Sequence, residues 1–300
     1  MYLVKMTLRQ SFTMFTTLSL LAVCYLFPSP VSAAEINCLK CHGKLAKEKV
    51  QHAAVAMGCP TCHTAIEANT VPHKKTNTIN KGLSSEQPDI CYGCHDQSLF
   101  NKKTVHAAIG MGCTGCHNPH SSKNNKLLIS EQPDLCYGCH DKALFNKKNV
   151  HAAIGMGCTS CHDPHSTDNA KLLKSNPPEL CMNCHDKAEF GKKNIHAPVA
   201  GGMCLTCHSP HSSDNMALLL NEPKQVCLDC HGEVTKKPHV IKGPKGAGHP
   251  LGKKDKKDPK RPEKEFYCGS CHNPHSSDSL RLFRYPAKAA MGLCNNCHKF

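Results

Sequence analysis

The chain has 300 residues, 23 cysteines, 22 histidines, no tryptophan, 5% aromatic residues and a formal charge of +14. So few aromatic residues argue against an ordinary globular core, and beyond the N-terminal stretch no run is long and apolar enough to span a bilayer as a helix. The basic balance would suit nucleic acid or an anionic membrane, but the cysteine pattern accounts for it in another way.

In chain order, Lys5 and Arg9 precede an apolar stretch from about Phe12 to Phe27, followed by small residues at Val31-Ser32-Ala33-Ala34. This is a secretory signal pattern over residues 1–34, leaving 35–300 as the mature single domain. Cys24 reads as part of the apolar run, because Val23 fits poorly before a lipid-bearing cysteine.

From there on, every cysteine belongs to a Cys-x-x-Cys-His pentapeptide, and there are eleven of them. The first six are Cys38, Cys41 and His42; Cys59, Cys62 and His63; Cys91, Cys94 and His95; Cys113, Cys116 and His117; Cys136, Cys139 and His140; Cys158, Cys161 and His162. The other five are Cys181, Cys184 and His185; Cys204, Cys207 and His208; Cys227, Cys230 and His231; Cys268, Cys271 and His272; Cys294, Cys297 and His298.

This is the attachment sequence for haem c, in which two thiols bond the vinyl groups and the histidine becomes the proximal iron ligand. A disulfide framework would not require a histidine after every pair. Structural zinc needs four ligands gathered locally, and a thioredoxin-type pair sits near a βαβ pattern that is missing here. Eleven covalent haems c are therefore expected. Without Lys5 and Arg9 the charge is +12 from 35 Lys+Arg and 23 Asp+Glu. Eleven ferric haems with their propionates bring about −11, so the lysines read as counter-charge and no nucleic-acid partner is expected.

The pentapeptides come in repeats. Residues 38–85 are a divergent unit one, 86–130 and 131–175 are units two and three, copies of one 45-residue unit, 176–221 is unit four, and 222–285 is unit five, stretched by a Lys/Pro/Gly-rich insertion. Residues 286–300 hold half a unit with one terminal haem. So little chain per cofactor predicts haems as the hydrophobic interior, short α-helices at the pentapeptides, loops elsewhere and little or no β-structure. Tandem units imply an elongated array. Leu127-Leu128, Leu172-Leu173 and Leu218 to Leu220 are expected over porphyrin faces.

Eleven histidines lie outside the pentapeptides: His52, His73, His106, His120, His151, His165, His196, His211, His239, His249 and His275. One spare imidazole per haem predicts bis-histidine coordination throughout. The tails Cys-His-x-Pro-His place His120, His165 and His211 three residues after a proximal histidine. Three residues span at most about 11 Å, too short a path around a porphyrin edge, so these are expected to serve a neighbouring haem. His106, His151 and His196 have longer tethers and are expected to cap a haem of their own unit. Unit five has a surplus of histidines where the terminal half-unit has none, and His239 is the expected extra ligand, His249 resembling the inter-motif position. Met57, Met111, Met156 and Met203 read as packing against haem, since histidine supply already meets demand. The lysine pairs 102–103, 147–148 and 192–193 and the basic insertion 252–264 read as solvated charge.

Tandem pairs with Cys-His-x-Pro-His tails, as in Cys136 to His140 followed by Cys158 to His165, resemble the doubled-CXXCH multihaem cytochromes c. The resemblance implies low-potential electron transport in the periplasm or at the outer membrane of a respiring bacterium, toward extracellular or periplasmic acceptors. It also implies redox-protein partners: quinol-linked donor cytochromes, outer-membrane or extracellular acceptor cytochromes, and a porin or further copies of the chain. Six-coordinate irons leave no open site, so no catalytic residue is expected. The competing class, a multihaem reductase of nitrite, hydroxylamine or a sulfur oxyanion, needs one open iron.

Overall fold

A computed structural model describes residues 36–236, 239, 249, 255–287 and 291–299. The expected signal peptide with Cys24, and positions 252–254 of the basic insertion, lie outside the described residues. Residues Cys38–Phe300 gather into one unit.

First motifs fold as single α-helical turns, at Leu39–His42, Asp89–Tyr92, Asp134–Tyr137 and Glu179–Met182. In unit five the turn extends to Pro223–His231. Pro88, Pro133 and Pro178 occupy N-caps, where a missing N–H costs nothing, and Asp89, Asp134 and Glu179 follow in the first turn, where a carboxylate complements the helix dipole. Second motifs are tighter 3₁₀ turns at Cys59–Thr61, Cys113–Gly115, Cys158–Ser160 and Cys204–Thr206. Among the described residues no helix is long and apolar enough to cross a membrane.

The backbone enters a second motif through a conformation that excludes side chains. Gly112 has φ +88°, and a Cβ there would also lie 3.1 Å from the Gln87 Oε1 atom. Gln87 is itself engaged, accepting from the Thr114 amide at 3.2 Å and so tying the start of unit two to its second motif. Gly112→Ala is expected to destabilise the unit by about 1–3 kcal/mol, read as a lower thermal midpoint than wild type.

Among the described residues, sheet is confined to six two-stranded antiparallel ladders. Four of them join successive units: Val50–Gln51 with Ser121–Ser122, Thr104–Val105 with Ser166–Thr167, Asn149–Val150 with Ser212–Ser213, and Asn194–Ile195 with Ser276–Ser277. Each sets the segment before an inter-motif histidine against the segment after the Pro-His tail of the next unit. The loop-rich expectation holds, and the little sheet present is what links the repeats. Strands of two residues carry no readable alternation, so hydrophobic periodicity does not mark them.

Among the described residues the only buried apolar side chains are Ala65 and Phe266. The buried set is mainly hydroxyls at the ladders, with Ser166 and Ser276 at 0% exposure and Ser121 and Ser212 at 2%. Each acts as a rivet to the preceding unit. Ser166 Oγ donates to the Leu99 carbonyl at 2.8 Å and accepts from the Lys102 amide at 3.2 Å. Ser212 and Ser276 repeat this with Leu144 and Lys147, and with Glu189 and Lys192. Ser166→Ala removes the partner of the Leu99 carbonyl and of the Lys102 amide and is expected to cost about 1 kcal/mol, seen as faster hydrogen exchange at the Lys102 amide.

Candidate haem-binding sites

The left-handed turns after the second motifs explain how the proximal rings are held. Lys126 and Leu127 have φ +56° and +59°, and the same pair of positive values recurs at Lys171-Leu172, Ala217-Leu218 and Arg281-Leu282. Non-glycine residues rarely sit there, and a consecutive pair is the signature of a type I′ turn. The turn aims a carbonyl at the motif imidazole: His117 Nδ1–H donates to Lys126 O at 2.8 Å, and His162, His208 and His272 donate to Lys171, Ala217 and Arg281 at 2.8–2.9 Å. The divergent first unit keeps the device at Lys81-Gly82, with His63 on Lys81 O. A carbonyl can only accept, so Nδ1 carries the proton and Nε2 keeps its lone pair free for a metal.

Inter-motif histidines are oriented the same way by another unit. His106 Nδ1–H donates to the Pro164 carbonyl at 2.9 Å, and His52, His151 and His196 donate to Pro119, Pro210 and Pro274 at 2.9–3.0 Å. The neighbouring backbone bond runs from His106 N to His165 O at 2.8 Å. Each tail therefore both carries its own histidine and fixes one from the preceding unit. Phe100, Phe145 and Phe190 pack on the tail histidines of the following unit with ring centres 4.7–5.0 Å apart.

The rings then meet in pairs, one motif histidine with one spare, at centroid separations of 5.9–6.2 Å. His63 faces His120, His117 faces His165, His162 faces His211, and His208 faces His275. His95 faces His52, His140 faces His106, His185 faces His151, and His231 faces His196. At the two ends, His42 faces His73, His272 faces His239, and His298 faces His249. Every motif histidine and every spare histidine is used once.

One sequence expectation changes here. The tail histidines serve a neighbour, as their short tether requires, but the inter-motif histidines do not face a histidine of their own unit: His106 lies against His140 of the next. The β-ladder carries it across the junction, and tether length alone did not show that. In unit five the surplus closes the count through a shift. His249 keeps the inter-motif role and faces His298, while His239 takes the place of the tail histidine that a sixth complete unit would supply to His272.

Burial, followed by the adjacent histidine charges, holds His120, His211 and His275 below the usual imidazole range. His165 is lowered by burial despite the opposing pull of Asp163. These rings are neutral at neutral pH, as a metal ligand must be.

The cysteines of adjacent motifs also approach each other. The Cys91 thiol is pushed up to about 12 by burial, then by its hydrogen bond to Cys113, and it also feels Cys62. Cys136 is raised to about 11 by burial and by Cys158, and Cys181 to about 11 by burial and by Cys204. Cys227 contacts Cys268, and Cys271 lies within electrostatic range of Cys294 and Cys297. The attachment segments are thus neighbours in sequence order.

These sites fit haem c. Two bonds of about 2.0 Å, the usual metal–imidazole length, put ring centres about 6 Å apart. Among the described residues no three metal-ligating side chains converge, so each pair offers two axial donors and needs a group that brings its own equatorial ones. Among the described residues no motif cysteine is in a disulfide, as thioether formation requires.

The doubled CXXCH motif profile matches at residues 52–99, 106–144, 151–190, 196–236 and 261–300. The chain belongs to that family. It is accordingly a multihaem c-type cytochrome, binding haem covalently at tandem paired motifs. Four of the five matches start at an inter-motif histidine and end past the first motif of the following unit. In four of the five matches those are the two rings that face each other, so the family frame coincides with the ring pairing. No curated protein matches the chain.

Sequence reading missed the ladder serines and the left-handed turns. The recurring Pro-His-Ser and Lys-Leu-Leu strings were the available signal for both.

Proposed function

We propose that this is an eleven-haem cytochrome c that passes electrons from site to site in sequence order, each iron closed by two histidines. The eleven ring pairs carry the reading. A bis-histidine haem c supplies one-electron ferric/ferrous exchange at low potential. The polypeptide's own part is to fix one ring of a pair by a carbonyl acceptor, to keep the buried tail imidazoles neutral, and to tie adjacent sites by ladders and serine rivets. Sharing ligands across each junction makes neighbouring sites rigid relative to one another, which suits transfer without ligand rearrangement. The protein is exported and works in the periplasm or at the outer membrane, between donor and acceptor redox proteins, with no catalytic residue of its own.

Intact mass of the holoprotein should show eleven haems, and low-temperature electron paramagnetic resonance should show low-spin ferric signals only. Carbon monoxide uptake at neutral pH by the reduced protein would overturn the closed-site reading.

A further inference from the structure

Beyond Arg9, the arginines of the chain are Arg261, Arg281 and Arg284, all within 24 residues around one attachment loop, Cys268 to His272. Two of them converge on its backbone. Arg261 Nη2 donates to the Gly269 carbonyl at 2.6 Å, and Arg284 donates to the same oxygen at 3.0 Å through Nε and to the His272 carbonyl at 3.3 Å through Nη2. Arg261 is neutralised by Asp258, 1% exposed, at 2.7 and 2.9 Å. The Arg284 guanidinium has carbonyls as its hydrogen-bond partners, so the cluster is left with one net positive charge at the tenth site. At the equivalent place in units two to four the chain has Ile129, Lys174 and Leu220, and Lys174 is exposed.

Reduction adds one electron to a ferric centre and neither forms nor breaks a bond. The net charge of a haem with its propionates moves from about −1 to about −2. A fixed cation beside it, in a partly desolvated setting, stabilises the reduced form. Guanidinium holds its charge at every working pH. We propose that Arg284 sets the tenth haem at a more positive potential than its neighbours, so that it is the place along the array where an electron comes to rest. This rests on the eleven-haem reading above.

The test is a mediated spectroelectrochemical titration of full-length holoprotein, with haem content fixed by intact mass. Arg284→Gln is expected to move about one haem-equivalent, at the positive end of the curve, to more negative potential. Arg284→Lys should retain the wild-type component. Asp258→Asn removes the neutralising anion and is expected to move the same component the other way, which decides the matter if Arg284→Gln loses haem. Superimposable curves for wild type and whichever of the two variants keeps full haem content would overturn the proposal. Absence of haem from the Cys268–Cys271 peptide would instead overturn the eleven-haem reading.

Discussion

His106→Ala is expected to convert one haem in eleven to a high-spin, carbon monoxide-binding centre, and that haem is the one attached at Cys136 and Cys139. The ring that loses its partner is His140, 34 positions downstream in the next unit, since the two face each other at 6.1 Å. The Pro164 carbonyl loses its donor as well, so the junction loosens in addition to opening the iron. Double variants locate the effect. Adding Cys136→Ala and Cys139→Ala should abolish the high-spin signal and leave a closed ten-haem protein. Adding Cys113→Ala and Cys116→Ala should leave it in place. The reverse pattern would show that His106 serves its own unit and would remove the basis for reciprocal ligation across junctions.

Deletion of residues 131–175 is expected to give a nine-haem protein with no open site. The unit contributes His140, His151, His162 and His165, two of them to its own attachment loops and two to its neighbours. Removing it leaves His106 opposite His185 and His117 opposite His211, in the same geometry. The ladder re-forms between Thr104–Val105 and Ser212–Ser213, with Ser212 replacing Ser166 as the rivet to Leu99. A repeat array whose units contact only their neighbours tolerates such an excision. The mass should fall by one unit and two haems, and the spectrum should stay low-spin. High-spin haem in the shortened protein would mean that contacts beyond nearest neighbours fix the ligands.

The array is closed at both ends by residues that break the repeat. His73, oriented by the Thr70 carbonyl at 2.7 Å, faces His42, which has no preceding unit to draw on. His239 does the equivalent for His272. The surplus of histidines in unit five was readable from the count, but its use was not.

Composition and spacing alone determined the chemistry of this protein. A repeated Cys-x-x-Cys-His pentapeptide marks covalent haem, and one further histidine for each motif supplies the second imidazole of the proposed ligation, because both functions need specific atoms and little context. The short helices at Asp89–Tyr92 and its counterparts were legible for the same reason, being local to a proline and the motif that follows. What the tertiary structure decided is which ring meets which, and therefore which haems are neighbours. That depends on ladders of two residues, on buried serines and on left-handed turns at ordinary residues such as Lys126 and Leu127. Each of these is a contact between segments tens of residues apart, or a backbone state that its residue type does not announce, so the recurring Pro-His-Ser and Lys-Leu-Leu strings mark the positions without saying what they meet.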